Sequence, residues 1–384
     1  MSYVSLAWLT VMVATFSLYW LTPEPWRRGT LVAVTAVFLA YMAPVSAVIL
    51  VGFTAVTCLI ARQPHPAGWV VATVTVGFIA ILSVFKFGAR GASYETILRE
   101  GLIPMGLSYY TFRCLHLIYE RHRGNFAETR SAEIVAYLFF LPTLVVGPIH
   151  RFGAFQRDFY RVRLDLTLLG EGLERILYGY VKIAFIGNYL IGGRLGDWMH
   201  GIQSEHPSLY AYLWIVQGGC NLYFQFSGFA DVAIGFARLL GFRVIENFNW
   251  PYFSKNLSEF WQRWHISLTS WCRDYVYGAV VSVTRSPALG AIATLLVIGL
   301  WHELSLRFIC WGLFHGFGLI VWQRFQIVKR RLPAVVWPPA QAALAVLSTL
   351  LTVHYTWFAF AIVRKPDLAG VLSVWGAATI GFFQ

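Results

Sequence analysis

The sequence predicts an all-α polytopic membrane protein of roughly ten transmembrane helices, with re-entrant or short helices around a central buried channel. Two observations carry that prediction. Of 384 residues, 58% are hydrophobic and only 12% are charged, whereas an ordinary soluble domain carries about 25% charged residues. Apolar runs long enough to cross a hydrocarbon core of about 30 Å recur from one end to the other, and several are broken by Pro or Gly. The membrane region is therefore the whole chain, read as a single integral membrane domain over residues 1–384.

The first run, residues 2–21, has the length of a signal peptide but lacks a basic leading region. It is followed by Pro23, Pro25 and Arg27-Arg28 where a small-residue cleavage site would stand, so it is read as a retained span. Further candidate spans are residues 30–60, 68–85, 102–118, 134–149, 166–191, 209–226, 288–300, 308–322 and 340–363, with a last apolar stretch near the C-terminus. The net charge of +12 is scattered through short loops such as Arg27-Arg28 and Lys329-Arg330-Arg331. That pattern fits cytoplasmic loops meeting anionic membrane lipids and not a nucleic-acid surface. It puts Arg27-Arg28 and residues 323–331 in the cytoplasm and the N-terminus outside. The mixed charge of residues 86–100 does not fix the count. Five cysteines, Cys58, Cys114, Cys220, Cys272 and Cys310, show no CxxC spacing and no His partners at metal-ligand intervals, so free thiols and no metal site are expected. No internal repeat is evident.

Residues 226–318 interrupt this apolar monotony with Asp231, Arg238, Glu246, Asn247, Asn249, Lys255, Arg263, His265, Arg273, His302, Glu303 and His315, set among aromatics. Ionisable groups at membrane depth are costly and usually paired or functional, so the density marks a site. Around Pro251 irregular backbone is expected, followed by a helix capped by Ser258 on which Trp261, His265 and Leu268 share a face. Its Trp and Arg residues suit headgroup level. For His265, local sequence fits a structural and a catalytic histidine equally. His302 ends an apolar run beside Trp301 and Glu303, where burial and a neighbouring carboxylate would tune it. His315, one turn from Trp311 and beside Gly312 and Gly316, reads as a packing position where helices approach closely.

Phe260-Trp261-Gln262-Arg263-Trp264-His265-Ile266-Ser267-Leu268, then Trp301-His302 followed by Phe308, Trp311-Gly312 and His315-Gly316, resemble the membrane-bound O-acyltransferase family. They are most like its bacterial branch, which modifies alginate and teichoic acid. The likeness extends upstream through Gly106-Leu107-Ser108-Tyr109-Tyr110-Thr111-Phe112, Gly147-Pro148-Ile149-His150-Arg151-Phe152 and Phe226-Ser227-Gly228-Phe229-Ala230-Asp231, covering about residues 100–320. The resemblance implies that His302 is catalytic and that His265 shares its site. Two departures are clear: Glu303 stands where the family usually has Gly, and Tyr277-Gly278-Ala279-Val280 replaces a Pro-Leu-Gly-Gly-Asn-Arg-like loop.

The resemblance implies acyl transfer from a cytoplasmic thioester, acetyl-coenzyme A or the phosphopantetheine of an acyl carrier protein, with no bound cofactor. The acceptor it implies is a hydroxyl of an exported polysaccharide, a teichoic acid or an extracytoplasmic relay partner, at the bacterial cytoplasmic (inner) membrane. His302 as general base would take the proton of the acceptor hydroxyl, and His265 would orient that acceptor or donate to the developing oxyanion. Lys255, Arg263 and Arg273 are candidate donor-phosphate residues, with lipid anchoring as their ordinary alternative. Asn249, Trp301 and Glu303 complete the candidate binding set. Rival readings are a transporter or flippase using the histidines as a proton relay, which needs mid-membrane acid–base pairs and preferably a repeat, and a non-catalytic scaffold for polysaccharide export.

Overall fold

A computed structural model describes residues 5–88, 103–126, 129–333 and 336–383. The chain is helical, with no strand among the described residues. It divides into two compact units, residues 1–181 with 228–246 and residues 182–227 with 247–384.

The first unit opens with α1 (Leu6–Leu21), whose N-terminus is closed by Ser5 accepting from the Trp8 N–H. Then come α2 (Glu24–Met42), α3 (Pro44–Ala61) and α4 (Gly68–Gly88). The single apolar run expected over residues 30–60 is thus two helices. Pro44 has no N–H to give the preceding turn, and it stands at the first position of α3, where none is needed. Arg27 and Arg28 lie inside α2 and not in a loop. Of the residues 86–100 only those to Gly88 fall within the described chain.

The helix α5 (Leu107–His122) carries Arg113, which is fully buried. Its guanidinium donates to the Tyr137 carbonyl and the Thr143 carbonyl, both at 2.7 Å. This corrects the span expected over residues 134–149. There α6 (Ser131–Leu138) stops early, a 3-10 turn follows at Leu141–Thr143, and irregular chain runs to α7 (Phe152–Phe159). Pro142 breaks the helical ladder, and the carbonyls so released are paid in hydrogen bonds by Arg113 and by protein packing, with Tyr137 Oη donating to the His150 carbonyl at 2.5 Å. The unit closes with α8 (Leu166–Tyr180), capped by Asp165. Arg175 on α8 donates to Asp231 at 2.7 Å and also pairs with Glu246.

In the second unit the chain winds as a π-helix over Val181–Leu195, then forms α9 (Gly196–Ile202). The division between the units falls within α10 (Pro207–Leu239). Next are α11 (Leu257–Arg263), α12 (Ile266–Cys272), a π-turn at Arg273–Tyr277, and α13 (Gly278–Thr284). The unit ends with α14 (Pro287–His302), α15 (Leu306–Lys329), α16 (Pro338–Arg364) and α17 (Leu368–Thr379). Most of the basic stretch 323–331 is therefore the end of α15. Helices α3, α4 and α16 are long and apolar enough to cross a membrane, and α1, α14 and α17 are shorter apolar helices. All five cysteines are free thiols.

In this unit α14 packs closely, backbone to backbone, on α15. A Cβ added to Gly299 would stand 2.4 Å from the Phe308 carbonyl oxygen, and one added to Gly312 would stand 2.7 Å from that of Leu295. Both contacts are with backbone, which has little room to yield, so only glycine allows this approach.

Candidate active site

His265 and His302 reach one aromatic cluster by different routes. The helix expected to run from Ser258 through His265 is broken. Asn256, and not Ser258, caps α11, accepting from the Glu259 N–H at 2.9 Å, and the last helical bond runs from Trp264 N–H to the Phe260 carbonyl. His265 then adopts a left-handed conformation with φ 44° and ψ 52°, and α12 begins after it. Trp261, His265 and Leu268 are thus not one helical face.

The break has a tertiary cause. The Asn247 carbonyl accepts from the Ile266 N–H and the Arg263 carbonyl accepts from the Asn249 N–H, each at 2.9 Å. The Asn247 side-chain oxygen accepts from the Ser267 N–H at 3.2 Å and from Ser267 Oγ at 2.8 Å. These bonds satisfy the orphan donors at the start of α12, so the chain loses little by leaving the ladder of α11. A left-handed backbone at a non-glycine residue is strained and persists only when its surroundings determine it. Trp264 supplies more of that determination, lying buried at 5.1 Å from both Phe248 and Phe360.

The same asparagine fixes the imidazole. His265 Nδ1 lies 3.1 Å from Asn247 Oδ1, and both side chains are buried. A backbone N–H can only donate, so the atom facing Ser267 N must be the amide oxygen, and His265 must carry its proton on Nδ1. In the neutral ring the Nε2 lone pair is then the open position. That atom is buried and, like Asn247 Nδ2, has no hydrogen-bond partner among the described residues. The ring packs edge-on to Phe226 at 4.8 Å and to Trp301 at 6.1 Å.

On its other side Trp301 meets His302, with centroids 4.5 Å apart. His302 is the last residue of α14, and Glu303 turns to extended backbone with φ −155°. Phe308 at 5.7 Å and Trp311 at 5.8 Å complete its aromatic surround. The expected burial of His302 is corrected: the residue is exposed, because it stands where the helix ends. Glu303 has a partner of its own. Its carboxylate is 2.5 Å from the Arg307 guanidinium, one turn on in sequence, and Arg307 in turn donates to the Lys365 carbonyl. Glu303 thus ties the α14–α15 turn to the end of α16.

His315 stands on α15 and not on the helix of His302. It is fully buried between Trp311 at 4.8 Å and Trp261 at 5.0 Å, one turn from Gly312, in the close approach to α14.

The basic candidates are dispersed. Arg263 is paired with Glu259 at 2.6 Å, and Arg273, exposed, with Asp274 at 3.3 Å. Lys255 is exposed with no ion pair among the described residues; its backbone N–H donates to Glu259. Asn249 is exposed and contributes through its backbone. The residue not singled out from the sequence is Asn247. Its sequence signal was a lone amide between Glu246 and Phe248, but its partner, His265, is revealed only by the folded chain.

Comparison with known proteins gives the family of the chain. The sequence model of MBOAT, the membrane-bound O-acyltransferase family, matches residues 123–362. The probable alginate O-acetylase AlgI of Pseudomonas aeruginosa is 32% identical over 327 residues, covering 79% of this chain and 62% of that protein. The corresponding protein of Azotobacter vinelandii is 32% identical over 333 residues, covering 81% and 66%. A teichoic acid D-alanyltransferase of Bacillus subtilis is 29% identical over 273 residues, covering 67% of each chain. The chain therefore spans a little under two thirds of the length of the alginate relatives it matches.

Proposed function

The chain belongs to the membrane-bound O-acyltransferase family, and on that premise we propose that it moves an acyl group, acetyl or D-alanyl, from a cytoplasmic thioester to a hydroxyl. The acceptor is a hydroxyl of an exported polysaccharide, a teichoic acid or a relay partner. The setting is a bacterial cytoplasmic membrane crossed by roughly ten spans. The observation that carries this reading is the pair of imidazoles on either side of Trp301, one with its tautomer set by Asn247.

A hydroxyl is a weak nucleophile at neutral pH. In the proposed step the acceptor oxygen attacks the thioester carbonyl while His302 removes its proton, a contribution of about 10²–10⁴-fold. The tetrahedral intermediate expels the thiolate, which takes that proton back from the imidazolium, so the ester and the free thiol form with no net proton change. His265 presents an unprotonated Nε2, which accepts a hydrogen bond from a second, neighbouring hydroxyl of the acceptor and leaves the proton of the attacking one to His302. That geometry favours an orienting role over oxyanion donation, since the neutral ring has no proton on that nitrogen. Asn247 acts as a positioning residue by holding the tautomer. Donor phosphates approach the exposed cation of Lys255, the basic candidate without a carboxylate partner.

The test is transfer by purified full-length chain in proteoliposomes, supplied with radiolabelled acetyl-coenzyme A or a D-alanyl carrier protein and with alginate or lipoteichoic acid. Polymer-bound label that depends on the chain supports the proposal. Absence of label in every combination, from protein that is folded and inserted, would overturn it.

A further inference from the structure

We infer that the first unit carries a binding site for an anionic phospholipid headgroup, independent of the acyl-transfer reading. A cleft of about 700 Å³ opens beside the junction of α1 and α2, lined by Trp20, Glu24, Arg27, Arg161, Arg163 and Leu164. None of its three arginines has an ion pair among the described residues. Some arginines elsewhere in this unit do pair, Arg175 with Asp231 and Glu246 and Arg123 with Glu120. Three arginines against one carboxylate, Glu24, leave the lining of the cleft with a net positive charge.

Arg27 is the built part of the site. Its Nε donates to the Thr22 carbonyl at 3.0 Å, and its guanidinium lies 4.8 Å from the centre of the Trp20 ring. Trp20 is itself anchored, its indole N–H donating to the Leu239 carbonyl at 2.8 Å. These contacts hold the stem of Arg27 and leave its terminal nitrogens for a planar, forked contact with phosphate oxygens. Arg161 and Arg163 are exposed and face the same cleft from the segment between α7 and α8.

Two features select a lipid over a soluble phosphate. The cleft lies where the apolar helix α1 ends, and large apolar side chains stand exposed around it: Leu21 at 82%, Trp26 at 72%, Leu164 at 56%. That is the arrangement of headgroup level, with Trp and Arg at the boundary and apolar groups beside the acyl chains. Glu24 also lines the cleft. Its carboxylate repels a polyanion such as a nucleotide diphosphate, and it accepts a hydrogen bond from a headgroup hydroxyl. A single phosphate diester bearing a hydroxylated headgroup meets both demands, as phosphatidylglycerol does.

Native mass spectrometry of the full chain, released from detergent after titration with phosphatidylglycerol or phosphatidylcholine, tests the site. The wild-type chain should retain one phosphatidylglycerol about tenfold more tightly than phosphatidylcholine. The double variant Arg161→Gln/Arg163→Gln, at exposed positions, should lose that preference, and Arg161→Lys/Arg163→Lys should keep most of it. Equal retention of the two lipids by wild type, or an unchanged preference in the glutamine variant, would overturn the inference. Displacement of the bound lipid by coenzyme A would likewise overturn it, assigning the cleft to a soluble phosphate ligand.

Discussion

Asn247 Oδ1 faces three donors at once, His265 Nδ1, Ser267 N and Ser267 Oγ. Its removal leaves buried donors unpartnered, at about 1–3 kcal/mol each, and frees the imidazole to change tautomer. Asn247→Leu should therefore lower both thermal stability and kcat, the latter by about tenfold or more if tautomer control serves proton handling. Asn247→Asp, which keeps an acceptor for all three donors, should recover much of kcat. A stability loss in Asn247→Leu with kcat unchanged in the folded fraction would make the residue structural only. For the histidines, His302→Ala should abolish transfer while the protein remains in the membrane, read by labelled polymer and by membrane fractionation. Full activity in that variant removes His302 from the mechanism. His265→Ala should lower turnover strongly and His265→Asn less, since an amide oxygen can replace the Nε2 acceptor. Equal loss in both would show that the imidazole itself moves a proton. Both histidines were legible in the sequence as polar residues among aromatics. The exposure of His302 was not, because it follows from the end of α14, and neither was Asn247, whose partner lies across a turn of irregular chain.

The elements show where periodicity misleads. Residues 257–272 have helical spacing throughout, yet the ladder breaks at Trp264-His265 because Asn247 and Asn249 capture the local backbone groups. No pattern within the segment reports bonds supplied from outside it. The glycines of the α14–α15 pair were partly readable: Gly312 and Gly316 beside His315 signalled close approach, and Gly316 indeed faces Ile292, whose Cα would be 3.3 Å from an added Cβ. Gly299, inside an apolar run, gave no such signal. Gly312→Val should cost about 1–3 kcal/mol or more through overpacking against backbone, visible as a lower Tm in detergent with activity falling in parallel. Gly29→Ala, inside α2 where nothing lies within 4 Å, should not lower Tm and should raise it slightly through helix propensity. On α11, Arg263 is paired with Glu259, whereas Lys255 has no ion pair among the described residues. Lys255→Gln should then raise the donor KM more than it lowers kcat, and Arg263→Gln should do neither; the reverse pattern would move the phosphate contact to Arg263.

At the scale of the whole molecule, composition alone made an all-helical membrane protein legible, whereas the run over residues 134–149 did not form the span it resembled. Its apolar side chains are buried against protein, with Arg113 bonding the backbone that Pro142 leaves irregular. Sidedness is the property that acyl transfer across a membrane most depends on, and α1 is its sharpest test. Sixteen residues of helix reach about 24 Å, short of a hydrocarbon core of about 30 Å. A span of that length requires local thinning or interfacial residues at its ends, and Trp20 and Arg27 stack at its C-terminal end. If the basic residues after it follow the positive-inside rule, that end faces the cytoplasm, and the proposed phospholipid cleft lies at the inner leaflet. In a background with Cys58, Cys114, Cys220, Cys272 and Cys310 replaced, a membrane-impermeant maleimide should label Ser5→Cys in intact cells and Arg28→Cys only after permeabilisation. Labelling of both from outside would make α1 an interfacial or re-entrant helix, and the assignment of the cleft to the cytoplasmic leaflet would fall with it.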